Sequence, residues 1–362
     1  MSARLLALAG LLCLLSYALE VPIAVDNPAG FQGRRAVYVG IPFAPGTLTS
    51  TVGLEIFSGE QQVPAQITVL NRYPGSQDIR WLACDFRPEL SGEKRQQFVL
   101  RDRPVAPSNI GLQPVVSISS NEEAFQINTG VALFVINRRN YSFLESVQPA
   151  GAPQRAMPES GAYFVTAESV RYRAAGQPER LLLEEAGPER AVVCAEGWFV
   201  NEQGGQFCRY LLRSHFYAGS SEVKVYFTFL ITGGTAEARF RDIGFVVPGQ
   251  YQRLNIGGAD GESAGRYLLQ YEYDKYLIGE SDRPSVWREQ GDGEAAPGWL
   301  RGDDTLLYVE DFRENFPNEL EARPEALIYH FWPAHGVAKP ERAVTDANRQ
   351  YLWYCHEGQV LD

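Results

Sequence analysis

Apolar and polar positions alternate along most of the chain. Val223, Val225, Phe227, Phe229 and Ile231 share one face of an extended segment. Tyr267, Leu269, Tyr271 and Tyr273 do the same, as do Val131, Leu133 and Val135. A period of two in β-branched and aromatic residues predicts half-buried strands. Turn-forming clusters separate the runs: Asn128-Thr129-Gly130, the segment from Asn201 to Gly205, and Thr232-Gly233-Gly234. Gly75-Ser76 sits at the bend between two apolar runs, residues 67–70 and 79–86, and so predicts a hairpin. Cys84 alternates with Leu82 and Phe86 and belongs on the core face of the second run. Stretches of helical spacing are few and short, the best being residues 179–185 and 309–315. The pattern predicts an all-β protein.

Composition agrees with that reading. The 362 residues are 45% hydrophobic, 21% charged and 12% aromatic, with 34 Gly and 22 Pro. These values suit a globular chain of short strands and turns, long enough for two or three domains. A Pro-rich stretch, residues 102–108, reads as a linker. Residues 280–302 are polar, acidic and Gly-rich and read as a long loop. The expected division is residues 19–105, 106–330 and 331–362, the last reading as the start of a truncated third domain. The chain stops just after the aromatic segment Tyr351-Leu352-Trp353-Tyr354.

The first residues stand apart. A basic start (Arg4), an apolar run from Leu5 to Leu15 and small residues at Ser16-Tyr17-Ala18 predict a secretory signal peptide over residues 1–18. The apolar run is shorter than the roughly 20 residues a membrane span requires. Its removal takes away one basic residue, moving the net charge from -11 to -12. That charge argues against nucleic acid as a partner. In an oxidising compartment Cys194 and Cys208 could staple two neighbouring strands, or stay as buried thiols.

Several segments taken in order resemble a known family. They begin with Val39-Gly40-Ile41-Pro42-Phe43-Ala44-Pro45-Gly46, Val63-Pro64-Ala65-Gln66 and the stretch from Arg72 to Leu82. Glu196-Gly197-Trp198, Tyr217-Ala218-Gly219-Ser220 and Arg241-Asp242-Ile243-Gly244-Phe245 follow. Asp311-Phe312-Arg313-Glu314-Asn315-Phe316-Pro317, Phe331-Trp332-Pro333-Ala334-His335-Gly336 and His356-Glu357-Gly358 complete the set. Together they resemble the exo-rhamnogalacturonan-lyase-like (PcRGLX/YetA-like) family. Tyr73 stands where the family's turn has Trp, and the turn's Asp is absent. The resemblance implies a small RIFT-type barrel followed by a central β-sandwich. It also implies a helical (α/α) barrel, not found in this sequence, that carries the lyase site. The whole protein would act by β-elimination at a uronic acid of a pectic polysaccharide. This chain would be its non-catalytic front part, or alternatively a stand-alone carbohydrate-binding or scaffold module.

Candidate chemistry is sparse. His335, His356 and Glu357, near His330, could line a lyase cleft, where a base and a carboxylate neutraliser are needed. Structural roles at a domain junction are the favoured alternative. Trp287, Trp299 and Trp332 could stack on sugar rings. Gly261-Glu262-Ser263-Ala264-Gly265 spells the G-x-S-x-G elbow of serine esterases, but a strand-like segment follows it where a helix is required. Asp260, Glu262, Asp292 and Glu294 have the oxygen donors calcium takes, without EF-hand spacing, so solvated turns are favoured and no cofactor is expected. Asn140-Tyr141-Ser142 is a glycosylation sequon, relevant only in a eukaryotic host.

Overall fold

The computed structural model describes residues 19–102, 114–232, 238, 240–257, 264–290, 296–333 and 335, with the backbone alone over 284–290. Every regular element among them is a strand, and no helix is long and apolar enough to cross a membrane. The chain divides into two compact units. One comprises Met1–Gln113 with Gly187–Glu189, the other Pro114–Ala186 with Arg190–Asp362.

The first unit wraps small antiparallel sheets around one core. Glu20–Asp26, Arg95–Asp102, Leu54–Ser58 and Gln61–Val63 form one sheet, and Val37–Pro42, Ile79–Phe86 and Ala65–Arg72 another. Ile56, Ile79, Leu82, Cys84, Phe86, Phe98 and Leu100 fill the space within. The predicted hairpin forms, with Tyr73 and Asp78 closing it by a backbone hydrogen bond and Gly75 at φ +73°. Only glycine adopts that left-handed backbone readily. The Tyr73 hydroxyl donates to the Phe43 carbonyl at 2.9 Å and ties the turn to the neighbouring loop.

The second unit contains a five-stranded meander and a twelve-stranded sheet. The meander runs Ser117–Ser120, Ala124–Asn128, Ala132–Asn137, Ser146–Pro149 and Arg155–Ala156. The large sheet begins at Val223–Leu230 and crosses Gln206–Tyr217, Arg190–Val200, Arg171–Arg173 and Gly161–Thr166. It then continues through Phe240–Pro248, Ala326–Trp332, Asn318–Arg323, Arg266–Glu272, Lys275–Glu280 and Arg283–Gln290. Residues of the meander and the sheet share one aromatic core. Phe164 contacts Phe199, Phe229 and Phe240 edge to face at 5.1, 5.6 and 5.3 Å. Such pairs add to area burial because ring edges meet ring faces of opposite charge.

Several expectations change. Residues 179–185 are not helical: Arg180–Ala186 is a strand along Arg190–Val200, with Leu181 and Leu183 packed on the core and Leu182 exposed. An available strand edge outweighs a weak helical propensity. Residues 309–315 form turns, closed by a single Asn315-to-Asp311 backbone bond ahead of Pro317, which disfavours helix in the residue before it. The expected loop at 280–302 contains two strands, Arg283–Gln290 and Trp299–Gly302. In Ala132–Asn137 the buried face is Ala132, Phe134 and Ile136, not Val131, Leu133 and Val135. Both faces of that segment are apolar, so alternation alone cannot choose between them.

Cys194 and Cys208 are separate buried thiols, not a disulfide. Cys194 lies opposite Arg213, while Cys208 lies five positions further along the same strand. At about 3.4 Å per residue the offset is ~17 Å, far beyond disulfide reach.

Two predictions follow from the second unit's packing. Phe199 is fully buried among Phe164, Tyr210 and Phe229. Phe199→Ala should lower unfolding free energy by roughly 3–5 kcal/mol in a denaturant titration; a loss under about 1 kcal/mol would show that the cluster can collapse into the space. His215 is pushed down to about 4, first by burial and then by the Arg190 guanidinium, whose Nη1 lies 3.0 Å from its Nδ1. The folded chain therefore holds His215 neutral while the unfolded chain takes up a proton near pH ~6.5. Its contribution is complete above about pH 6.5 and is lost as pH falls toward 4. Urea unfolding at about pH 7 and about pH 4.5 should show a fall on the order of 1–3 kcal/mol that His215→Gln reduces. An equal fall in the variant would assign the effect to other groups.

Candidate functional site

The Asn318–Arg323 and Ala326–Trp332 strands form a hairpin in the middle of the large sheet. Side chains alternate between its faces. Leu320, Ala322, Leu327 and Tyr329 enter an apolar core on one side. Glu319, Glu321 and His330 point to the other. Glu319 lies directly across from His330, and Glu321 across from Ile328. All three polar side chains are buried, with exposures of 0%, 0% and 1%.

Neighbouring strands complete the cluster. Across Phe240–Pro248, Gly244 faces His330, and across Gly161–Thr166, Tyr163 faces Gly244. A Cβ on Gly244 would stand 2.7 Å from the Tyr163 hydroxyl, so the glycine lets the tyrosine ring cross the strand. The Tyr163 hydroxyl lies 3.4 Å from His330 Nδ1. Asp242 Oδ1 is 2.7 Å from the same nitrogen. On the other side Tyr267 lies opposite Glu321 and covers Gly279, where a Cβ would come within 2.3 Å of its ring.

His330 Nε2 stands between two carboxylates, 3.3 Å from Glu321 Oε2 and 3.5 Å from Glu319 Oε1. Glu319 also holds His335, accepting from its Nδ1 at 2.7 Å and from its backbone N–H at 3.1 Å. The His335 ring stacks on Tyr267 at 4.0 Å. Arg323 Nε is 2.9 Å from Glu321 Oε1. Burial by itself would lower His330, but Asp242 and Glu319 overcome it and hold the imidazole well above its usual range. His335 is raised in the same way, burial opposing and Glu319 prevailing. Burial would raise Glu321, yet the hydrogen bond from His330 and the pairing with Arg323 hold it well below the usual carboxylate range.

Of the residues singled out from sequence, His335 joins this cluster. There it is clamped by Glu319 and Tyr267 rather than presented to solvent. His356, Glu357, Ser263, Asp260, Glu262, Asp292 and Glu294 lie outside the described residues. The segment after Ser263 is the strand Arg266–Glu272, not the helix of a nucleophile elbow. Trp332 is 3% exposed in the main core, which removes it as a sugar contact. Trp287 lies on Arg283–Gln290, where the backbone alone is described. Trp299 is half-buried and pairs across strands with Tyr308, which is 65% exposed. Arg301 and Leu306 pair on the same outer face. Asn140 is exposed.

Sequence reasoning missed Asp242, Glu319 and Glu321 as site residues. One signal was present: Glu319 and Glu321 alternate with Leu320 and Ala322, immediately before a strand with His330 in its middle.

The architecture is that of a β-sandwich protein, and residues 116–253 match the PcRGLX-like protein central beta sandwich domain. Through that domain the chain is similar to PcRGLX-like proteins. It is 25% identical over 206 residues to the uncharacterized protein YetA of Bacillus subtilis (strain 168). That alignment takes in 53% of this chain and 23% of the relative, so the chain spans about a quarter of the relative's length. The matched domain supplies Tyr163, Asp242 and Gly244, whereas Glu319, Glu321 and His330 lie beyond it.

Gly279→Ala tests the packing of the cluster. The methyl group must displace the Tyr267 ring that carries His335. The expected loss is about 1–3 kcal/mol by chemical denaturation, and an unchanged midpoint would mean that Tyr267 has room to shift.

Proposed function

We propose that this chain is the non-catalytic, carbohydrate-binding β-structured part of a secreted polysaccharide-lyase-like protein, acting on a rhamnogalacturonan or related pectic chain. The match of residues 116–253 to the PcRGLX-like central sandwich carries this reading. Secretion rests on the basic, apolar and small-residue order of residues 1–18. In this proposal β-elimination belongs to the complete protein and is performed outside the described residues. The burial of His330 and the clamping of His335 support that division, since a proton-abstracting base must reach its substrate.

The outer face of the sheet formed by Leu254–Ile256, Trp299–Gly302 and Thr305–Tyr308 is the proposed sugar contact. Trp299 and Tyr308 present adjacent aromatic surface to the apolar face of a pyranose ring. Arg301 beside them offers a guanidinium to a uronate carboxylate. A scaffold role alone would leave that face without a ligand.

Affinity electrophoresis in gels containing rhamnogalacturonan or polygalacturonate tests the proposal. The chain should be retarded, release no unsaturated product, and lose at least about tenfold in affinity on Trp299→Ala with Tyr308→Ala. Arg301→Ala should weaken binding to the acidic polymer more than to a neutral galactan. No retardation by any of these polymers would overturn the binding role, and unsaturated product formed by this chain would overturn the non-catalytic one.

A further inference from the structure

We propose that Glu319, Glu321 and His330 form a binding site for a divalent transition-metal ion of the zinc and manganese class. The ligand atoms of the three side chains lie within 4.8 Å of one another, and all three residues are buried. Two of the three separations suit a shared ion. Metal–ligand bonds of 2.0–2.1 Å in a tetrahedron set neighbouring donor atoms about 3.3–3.4 Å apart. His330 Nε2 stands 3.3 Å from Glu321 Oε2 and 3.5 Å from Glu319 Oε1.

The surroundings carry the argument further than the donors do. Each proposed ligand has its own orienting partner. Asp242 accepts from His330 Nδ1 at 2.7 Å, which fixes the tautomer and turns Nε2 toward the carboxylates. His335 donates from Nδ1 and from its backbone N–H to the two oxygens of Glu319. Arg323 pairs with Glu321 Oε1 at 2.9 Å and leaves Oε2 on the His330 side. Carboxylate–histidine–metal relays of this form are the usual outer-shell arrangement of metal sites. A surface acidic patch has no such second layer.

Charge balance points the same way. Asp242, Glu319 and Glu321 carry three negative charges, and Arg323 returns one positive charge. The remaining two must be met where Glu319 and Glu321 are fully buried. A dication with both imidazoles neutral meets them, as would two imidazolium ions without a metal. Imidazole with two carboxylates is a donor set for zinc or manganese, which mix nitrogen and oxygen ligands.

The test separates the two ways of meeting that charge. The purified full chain, stripped with a chelator, is titrated with zinc chloride and with manganese chloride by calorimetry. The expected result is one equivalent bound per chain for at least one ion. Glu319→Gln and Glu321→Gln should each weaken it at least tenfold. Asp242→Asn touches no metal and should weaken it about 10–100-fold. Val52→Ala, at an exposed position of the first unit, should leave it unchanged. Cobalt substitution gives a second readout on the unmutated chain, expected as the intense visible bands of a four-coordinate nitrogen–oxygen site. No stoichiometric uptake of either ion, or uptake indifferent to both Gln variants, would overturn the proposal and leave the cluster as a protonated histidine–carboxylate network.

Discussion

The large sheet of this protein buries Glu319 and Glu321 and half-buries Asp242 beside them, and the middle of the sheet depends on how that charge is met. A carboxylate removed from water is strongly disfavoured unless paired and hydrogen-bonded. His330 sits at the centre of the solution, between Asp242 on one nitrogen and the two glutamates on the other. Arg323 and His335 close the outer sides. Three strands supply these groups and His335 follows the last of them, so the cluster fixes their register as firmly as the hydrophobic pattern does. A slip of one residue would turn every carboxylate into the apolar core on the other face.

That opposite face shows why the polar cluster is tolerated. Leu320, Ala322, Leu327 and Tyr329 bury apolar surface directly behind Glu319, Glu321 and His330. The strand is therefore held by ordinary hydrophobic burial, and the polar face is free to be specific. Glycines make the space. Gly244 and Gly279 let Tyr163 and Tyr267 lie flat across neighbouring strands and roof the cluster with aromatic rings. Elsewhere in the same unit the core is built on aromatic contacts, those of Phe164 with Phe199, Phe229 and Phe240 among them.

The segment that matches a family and most of the buried polar cluster lie in different parts of the chain. The segment matched to the PcRGLX-like central sandwich ends at residue 253. The hairpin bearing Glu319, Glu321 and His330 lies beyond it, as does the Trp299–Tyr308 face. Fold does not fix function. The sandwich places these later elements, and their own side chains determine what they bind.

The sequence by itself determined the all-β class, the hairpin at Gly75, the core position of Cys84 and the buried face of residues 223–231. These follow from local rules, because side chains alternate with a period of two and glycine permits turns that other residues resist. Only the tertiary structure decided which face of residues 132–137 is buried, because both faces are apolar there. It also turned residues 180–186 from helical spacing into a strand, by offering them the edge of Arg190–Val200. It separated Cys194 from Cys208 through the register of one hairpin. The His330 cluster belongs wholly to this second class. Asp242 and His330 are 88 residues apart and meet only because two strands pair. Long-range pairing sets such distances, and no local spacing in the chain encodes them.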